Sequence, residues 1–111
     1  MGVHELAITE SVVASVRDRL GDARVLAVTL EIGRLSGVVA DSVRFCFDLC
    51  TEGTPLQGAR LDIVDVPGGA YCRGCRSDVE LVDLIPLCPC GSADLDITSG
   101  QELMIRQVEV A

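Results

Sequence analysis

The stretch "YCRGCRSDVELVDLIPLCPCGS", residues 71–92, decides how the chain is divided. Cys72 and Cys75 form a C-x-x-C pair, twelve residues follow, and Cys88 and Cys90 form a C-x-C pair. Two cysteine pairs joined by a short excursion let one ion collect four thiolates in a tetrahedron, with Zn–S distances of about 2.3 Å. The aliphatic residues of the stretch, Leu81, Val82, Leu84, Ile85 and Leu87, are too few to make a core, so metal binding is expected to fold it. Zinc is the expected ion; an iron–sulfur centre and redox-active dithiols are the competing readings of the same four residues. The second pair is one residue shorter than a usual knuckle, and Pro89 has no N–H, so this half should be tighter and less well hydrogen-bonded. Arg73 and Arg76 are expected to offset part of the negative charge of a four-thiolate centre.

Working outward, Pro67-Gly68-Gly69 and Ser99-Gly100 bracket the segment and look like hinges. The flanks have regular periods. From Glu5 to Leu20 the residues Leu6, Val13, Val16 and Leu20 recur at helical spacing, with Gly21 as a stop. "RVLAVTLEIG", residues 24–33, alternates as a strand, with Leu26, Val28, Leu30 and Ile32 on one face. "DSVRFCFDLC", residues 41–50, returns to helical spacing, with Asp41 as the expected N-cap. Cys46 and Cys50 lie on the apolar face of this second helix and are expected to pack as small apolar side chains. "RLDIVDV" and "ELMIRQVEV" read as two more strands. The expected fold class is therefore α+β, a small three-stranded mixed sheet with two helices, plus an inserted zinc-ribbon-like domain. Residues 1–66 and 101–111 form the main domain in this reading, and 67–100 the zinc-binding domain.

The totals bound the function. At 111 residues the chain has room for one small domain and an outgrowth. Nine arginines and no lysine stand against seventeen acidic residues, a formal charge of −8, which disfavours nucleic acid as a partner. No apolar run is long enough to span a membrane, and the start lacks a secretory layout, so a cytoplasmic location without a membrane partner is expected. In that compartment the cysteines are expected to be ligands or core residues rather than disulfides.

Several fragments, in order and spacing, resemble the HypA/HybF family of nickel chaperones for hydrogenase maturation. They are "HELAIT" near the start, "EIGRLSGV", "RFCFDLCTEGTPLQGARLDIVDVP", the two cysteine pairs, and "CGS" followed by "GQELMIRQVEV". The resemblance implies that the main domain binds Ni(II) as transient cargo and that Zn(II) on Cys72, Cys75, Cys88 and Cys90 is structural. It implies delivery of nickel to the large subunit of NiFe-hydrogenase with the GTPase HypB, and in some members to urease maturation factors. It places the nickel site at the first residues: terminal amine, backbone amide nitrogen, the imidazole of a second-position histidine and the neighbouring glutamate. His4 and Glu5 are the matching positions here.

The match departs from the pattern in one respect, since the chain begins Met1-Gly2-Val3 and its single histidine is fourth. If translation starts at Val3, the histidine becomes second. If Met1 is removed, Gly2-Val3-His4 offers an amine, two amides and an imidazole in a square plane suited to Ni(II), and also to Cu(II). If neither occurs, the chelate is looser. In each case the imidazole must be neutral and the amine and amides must lose protons, so binding weakens as pH falls. Glu5 either supplies an oxygen or orients the imidazole.

Two other classes compete with this reading. An enzyme would need an open metal position and a nearby general base, whereas four thiolates close the site; no enzyme is expected. A zinc-ribbon adaptor that binds proteins without transferring nickel is the alternative. Monomer and homodimer are both compatible with the sequence.

Overall fold

The computed structural model describes residues 3–111, with side chains from residue 4 onward. Helix α1 spans Val3–Leu20, two residues longer at its start than the apolar period alone indicated. Thr9, Val12, Val13 and Val16 form its buried stripe, at the three- and four-residue steps that keep side chains on one face. Gly21 ends it as expected, at a φ of 58° with its N–H donating to the Arg17 carbonyl at 2.8 Å.

Strand β1 spans Val25–Gly33, helix α2 spans Ala40–Thr51, and strand β2 spans Arg60–Val66. Asp41 does not cap α2: the N-cap is Val39, without a side-chain hydrogen bond, and Asp41 lies in the first turn, where its charge suits the helix dipole. Of the two cysteines on α2, Cys46 is fully buried and Cys50 half-buried, and α2 packs against α1. Val43, Cys46 and Phe47 carry the buried face of α2.

After α2 and β2 come five-residue strands β3 (Gly68–Cys72), β4 (Ser77–Leu81) and β5 (Leu95–Ser99), and then β6 (Leu103–Val110). Two three-stranded sheets result, in the orders β2-β1-β6 and β4-β3-β5. In the first, the Arg34 N–H donates to the Val66 carbonyl just past the ends of β1 and β2, so these two strands finish side by side. At β6 the sense reverses. Gly33 donates to the Glu102 carbonyl at one end and Ala111 to the Arg24 carbonyl at the other, which makes the sheet mixed. β1 is central, and its alternation is largely lost: both faces are buried except at Leu26, which is 46% exposed.

Two compact units divide the chain. The first comprises residues 1–30, 38–64 and 104–111, and the second 31–37 and 65–103. The first has an aliphatic core that includes the fully buried Leu30, Leu56, Val25, Val28 and Val43 together with the single buried aromatic, Phe47. Each such side chain contributes on the order of 2 kcal/mol by leaving water.

The second unit contains a sheet that the sequence did not reveal. β3 pairs antiparallel with β4, Ala70 facing Val79, and antiparallel with β5, with a bulge between Gly69 and Ala70. Several of its glycines permit close approach of backbone segments. Gly100 has a φ of 100°, and a methyl group on it would lie 2.6 Å from Gly68 Cα. A methyl on Gly33 would overlap the Gly100 carbonyl. The segment 33–35 also bonds both ends of the excursion, through Arg34 to Val66 and Leu35 to Gly100, and Arg34 Nε meets Asp65 Oδ2 at 2.9 Å. Gly33→Ala is therefore expected to destabilise the protein by about 2 kcal/mol, the scale of overpacking at a site that cannot relax. Denaturant unfolding of the two proteins measures it.

Candidate metal centre

Cys72 is the last residue of β3, Cys75 lies in the turn to β4, and Cys88 and Cys90 lie in the loop before β5. The sheet register fixes the first pair, because Cys72 faces Ser77 across β3 and β4 and the turn between them holds Cys75. The second pair is brought over by the Cys88 N–H donating to the Ser92 carbonyl and by Gly91, at a φ of 94°, donating to the Cys88 carbonyl. Arg76, after the first pair, also adopts a left-handed φ of 56°. Each cysteine pair is thus followed by a left-handed residue that turns the chain back towards the sulfurs.

All four sulfurs lie within 4.8 Å of one another, and Cys72–Cys90 and Cys75–Cys88 are each 3.7 Å apart. A disulfide would need about 2.05 Å, so neither contact is one. A tetrahedron of sulfurs around an ion at about 2.3 Å has edges of about 3.8 Å, and the two short contacts fit that figure. Four soft sulfur donors in this arrangement suit a tetrahedral thiophilic ion such as zinc or iron. Cys72 and Cys88 are buried, while Cys75 and Cys90 are exposed.

Neighbouring amides and sulfurs shift the ionisation of the two buried thiols. The Cys72 thiol is brought down to about 6, first by the Cys75 backbone N–H and then by hydrogen bonds from the other three sulfurs, against the effect of burial. Cys88 moves oppositely, to about 12: the Cys90 N–H favours its anion, but burial and the three neighbouring sulfurs outweigh it. The shortened pair keeps an amide donor despite Pro89, since the Cys90 N–H reaches Cys88 Sγ at 3.5 Å. Ser77 adds a contact that the sequence reading missed, its hydroxyl lying 2.9 Å from Cys75 Sγ. The available signal was a hydroxyl residue two positions after Cys75.

Arg73 is placed differently from the expectation. Its guanidinium binds Asp94 at 2.8 Å and also Asp96, and its N–H donates to the Asp94 carbonyl, so its charge is spent on β5 and the loop before it. Cys46 and Cys50 stand outside the four-sulfur group. The Cys50 thiol is raised by burial, with Glu10 and Cys46 adding to it.

His4 lies in the first turn of α1 with its side chain exposed, and Glu5 beside it is 6% exposed. Successive helix positions diverge by about 100°, so the two side chains leave the helix in different directions. The Glu5 carbonyl accepts a 2.7 Å hydrogen bond from the buried Thr9 hydroxyl. The terminal amine and Gly2, which the resemblance brings into the nickel site, lie outside the described residues.

An α+β chain with four converging cysteine sulfurs falls in the class of metal-handling proteins. More particularly, residues 3–110 match the family model described as hydrogenase/urease nickel incorporation, metallochaperone, and the chain belongs to this HypA family. Proteins named hydrogenase maturation factor HypA from Trichormus variabilis and Geobacter metallireducens are 45% and 47% identical to it, over 97% of this chain and 96% and 99% of theirs. The solution structure of the Ni metallochaperone HypA from Helicobacter pylori shares the fold, with a TM-score of 0.65, 23% identity and 96% of each chain covered. A second solution structure of a HypA protein gives a TM-score of 0.68, again at 23% identity, covering 100% of this chain and 98% of that one. The family consists of maturation factors and metallochaperones, not enzymes. No helix among the described residues is long and apolar enough to cross a membrane.

The position of Arg73 yields a test. Arg73→Gln should change stability little, as loss of exposed ion pairs does, and should leave the metal content of the cysteine cluster unchanged. Urea unfolding and elemental analysis read the two effects separately.

Proposed function

We propose that the chain carries Ni(II) at its N-terminus and delivers it in the cytoplasm to the large subunit of NiFe-hydrogenase, acting with the GTPase HypB. Urease maturation factors are further candidate recipients, as the family description names urease incorporation alongside hydrogenase. The observation that carries this reading is the match of residues 3–110 to the HypA family, within which the chain's single histidine falls at the first turn of α1. Residues 1–66 and 101–111 serve nickel in this proposal, and residues 67–100 serve zinc.

The chemistry of a helix start supports the role of His4. The first amides of a helix have no acceptor within it, so they are available to surrender protons to a metal without breaking the helix ladder. With the amine and an exposed imidazole they make a nitrogen-rich donor set suited to Ni(II). Binding displaces protons, so cargo is held at neutral pH and released more easily as pH falls. Burial of Glu5 favours its action as a support for the first turn over service as an oxygen ligand.

Zn(II) on Cys72, Cys75, Cys88 and Cys90 supplies a cross-link that holds the turn after β3 to the loop before β5. The residues themselves arrange for it: the Cys75 and Cys90 amides and the Ser77 hydroxyl approach the sulfurs, and the fourth thiolate closes the site to substrate.

His4→Ala is expected to abolish stoichiometric nickel uptake while zinc content and helical circular dichroism persist. Cys75→Ala is expected to lose zinc and the amide dispersion of β3–β5 while nickel uptake survives. Equilibrium dialysis with Ni(II), on protein whose N-terminus has been verified by intact mass, measures both variants. Undiminished nickel uptake by His4→Ala would refute the site, and failure of the wild-type protein to take up nickel would favour a zinc-ribbon adaptor. X-ray absorption at the nickel edge counts nitrogen, oxygen and sulfur ligands directly.

A further inference from the structure

In the second unit, β4 is an edge strand, because the sheet order β4-β3-β5 leaves one side of it without a neighbour. Such an edge offers backbone donors and acceptors to an added strand. Immediately beyond β4 the chain exposes Val82, Leu84, Ile85 and Leu87, at 72%, 63%, 65% and 49%. Four adjacent aliphatic side chains in water are unusual unless a partner covers them. The loop has a defined shape: the Ile85 N–H donates to Asp83 Oδ1 and the Leu87 N–H to the Ile85 carbonyl, both at 2.9 Å. A hollow of about 240 Å³ opens among Leu81, Val82, Ile85, Leu87 and Pro89, with Glu80 and Asp83 also lining it.

Charge identifies the occupant. Residues 77–87 contain Asp78, Glu80 and Asp83 and neither lysine nor arginine. Arg34 raises no objection to a negative patch, since its guanidinium is held by Asp65 at 2.9 Å and Glu80 acts on it only at longer range. A second copy of this chain would bring the same acidic side chains, on a protein of formal charge −8, against themselves. Strand alternation adds a pattern: Val79 and Leu81 lie on one face of β4 and Asp78 and Glu80 on the other. We infer that β4 and residues 82–87 dock an extended segment of a basic partner polypeptide, one that alternates apolar residues with lysine or arginine. Its backbone continues the sheet at β4. Its apolar side chains meet Val79 and the aliphatic loop, while its cations meet Asp78, Glu80 and Asp83.

This surface uses no proposed nickel ligand, so its test is independent of the cargo. The probe is a short synthetic peptide alternating lysine with valine, added to the full-length protein with its cysteine-bound metal in place and observed by amide NMR. Shifts concentrated at residues 77–87 are expected. The affinity should fall about tenfold or more in a Leu84→Asp/Ile85→Asp variant, the scale of losing apolar anchors, and should fall with added salt. Both side chains are mostly exposed, so this variant should keep the metal content and nickel uptake of the parent. A Glu80→Lys/Asp83→Lys variant should reverse the preference towards a glutamate–valine peptide. The inference is overturned if the lysine–valine peptide does not bind, if the glutamate–valine peptide binds the parent equally well, or if the shifts lie elsewhere. It is equally overturned if residues 77–87 shift with protein concentration alone, which would make the occupant a second copy.

Discussion

Four cysteine sulfurs held within 4.8 Å of one another set the terms on which residues 65–103 keep their shape. Little else in that stretch is buried. Ala70 and Leu81 are its only buried aliphatic side chains, and the other buried hydrophobic residues are two of the cysteines themselves. Three five-residue strands with so small a core do not repay their conformational entropy by burial. The four converging sulfurs are therefore the feature of this stretch placed to supply a cross-link. A cation bound there, as proposed, would share the charge of the thiolates and tie two distant turns at one point. The sheet register, the two left-handed residues after the cysteine pairs and the Arg73 carboxylate clamp are arrangements around that point.

The first unit is stabilised by different means. It is aliphatic, with Phe47 as its single fully buried aromatic residue. In the proposed function one metal is held and another passed on, and stabilising the two units by different means suits that division. Sulfur ligands in a closed set exchange slowly, whereas nitrogen ligands at a helix start compete with protons and let go. In the proposed function, His4 and the four cysteines share no residue and no donor type, so loading one set need not disturb the other.

Much of the fold was legible because its signals are periodic and long. α1 and α2 follow a helical pattern, β1, β2 and β6 are runs rich in aliphatic residues, and Gly21 stops α1 where a left-handed residue is required. The cysteine pairs were legible because ligand spacing is a covalent constraint. β3, β4 and β5 were not, since "GGAYC", "SDVEL" and "LDITS" are too short to establish a period, and their pairing depends on contacts distant in sequence. Cap and charge assignments failed for a related reason. Asp41 had the right chemistry for a cap but sits inside the helix, and the guanidinium of Arg73 found Asp94 and Asp96 instead of the adjacent sulfurs. A side chain's nearest neighbours in sequence do not fix its partner once strands bring others closer.

The strap formed by residues 33–35 bears on modularity. Excising the cysteine-rich part as residues 67–100 and transplanting it onto another scaffold would sever the bond from Leu35 to Gly100. The piece that is portable as a unit is discontinuous, because a stretch borrowed from the end of β1 travels with it. Evolutionary exchange of this module between proteins would accordingly have to move both pieces together, or rebuild a glycine-lined seat for the second at its destination.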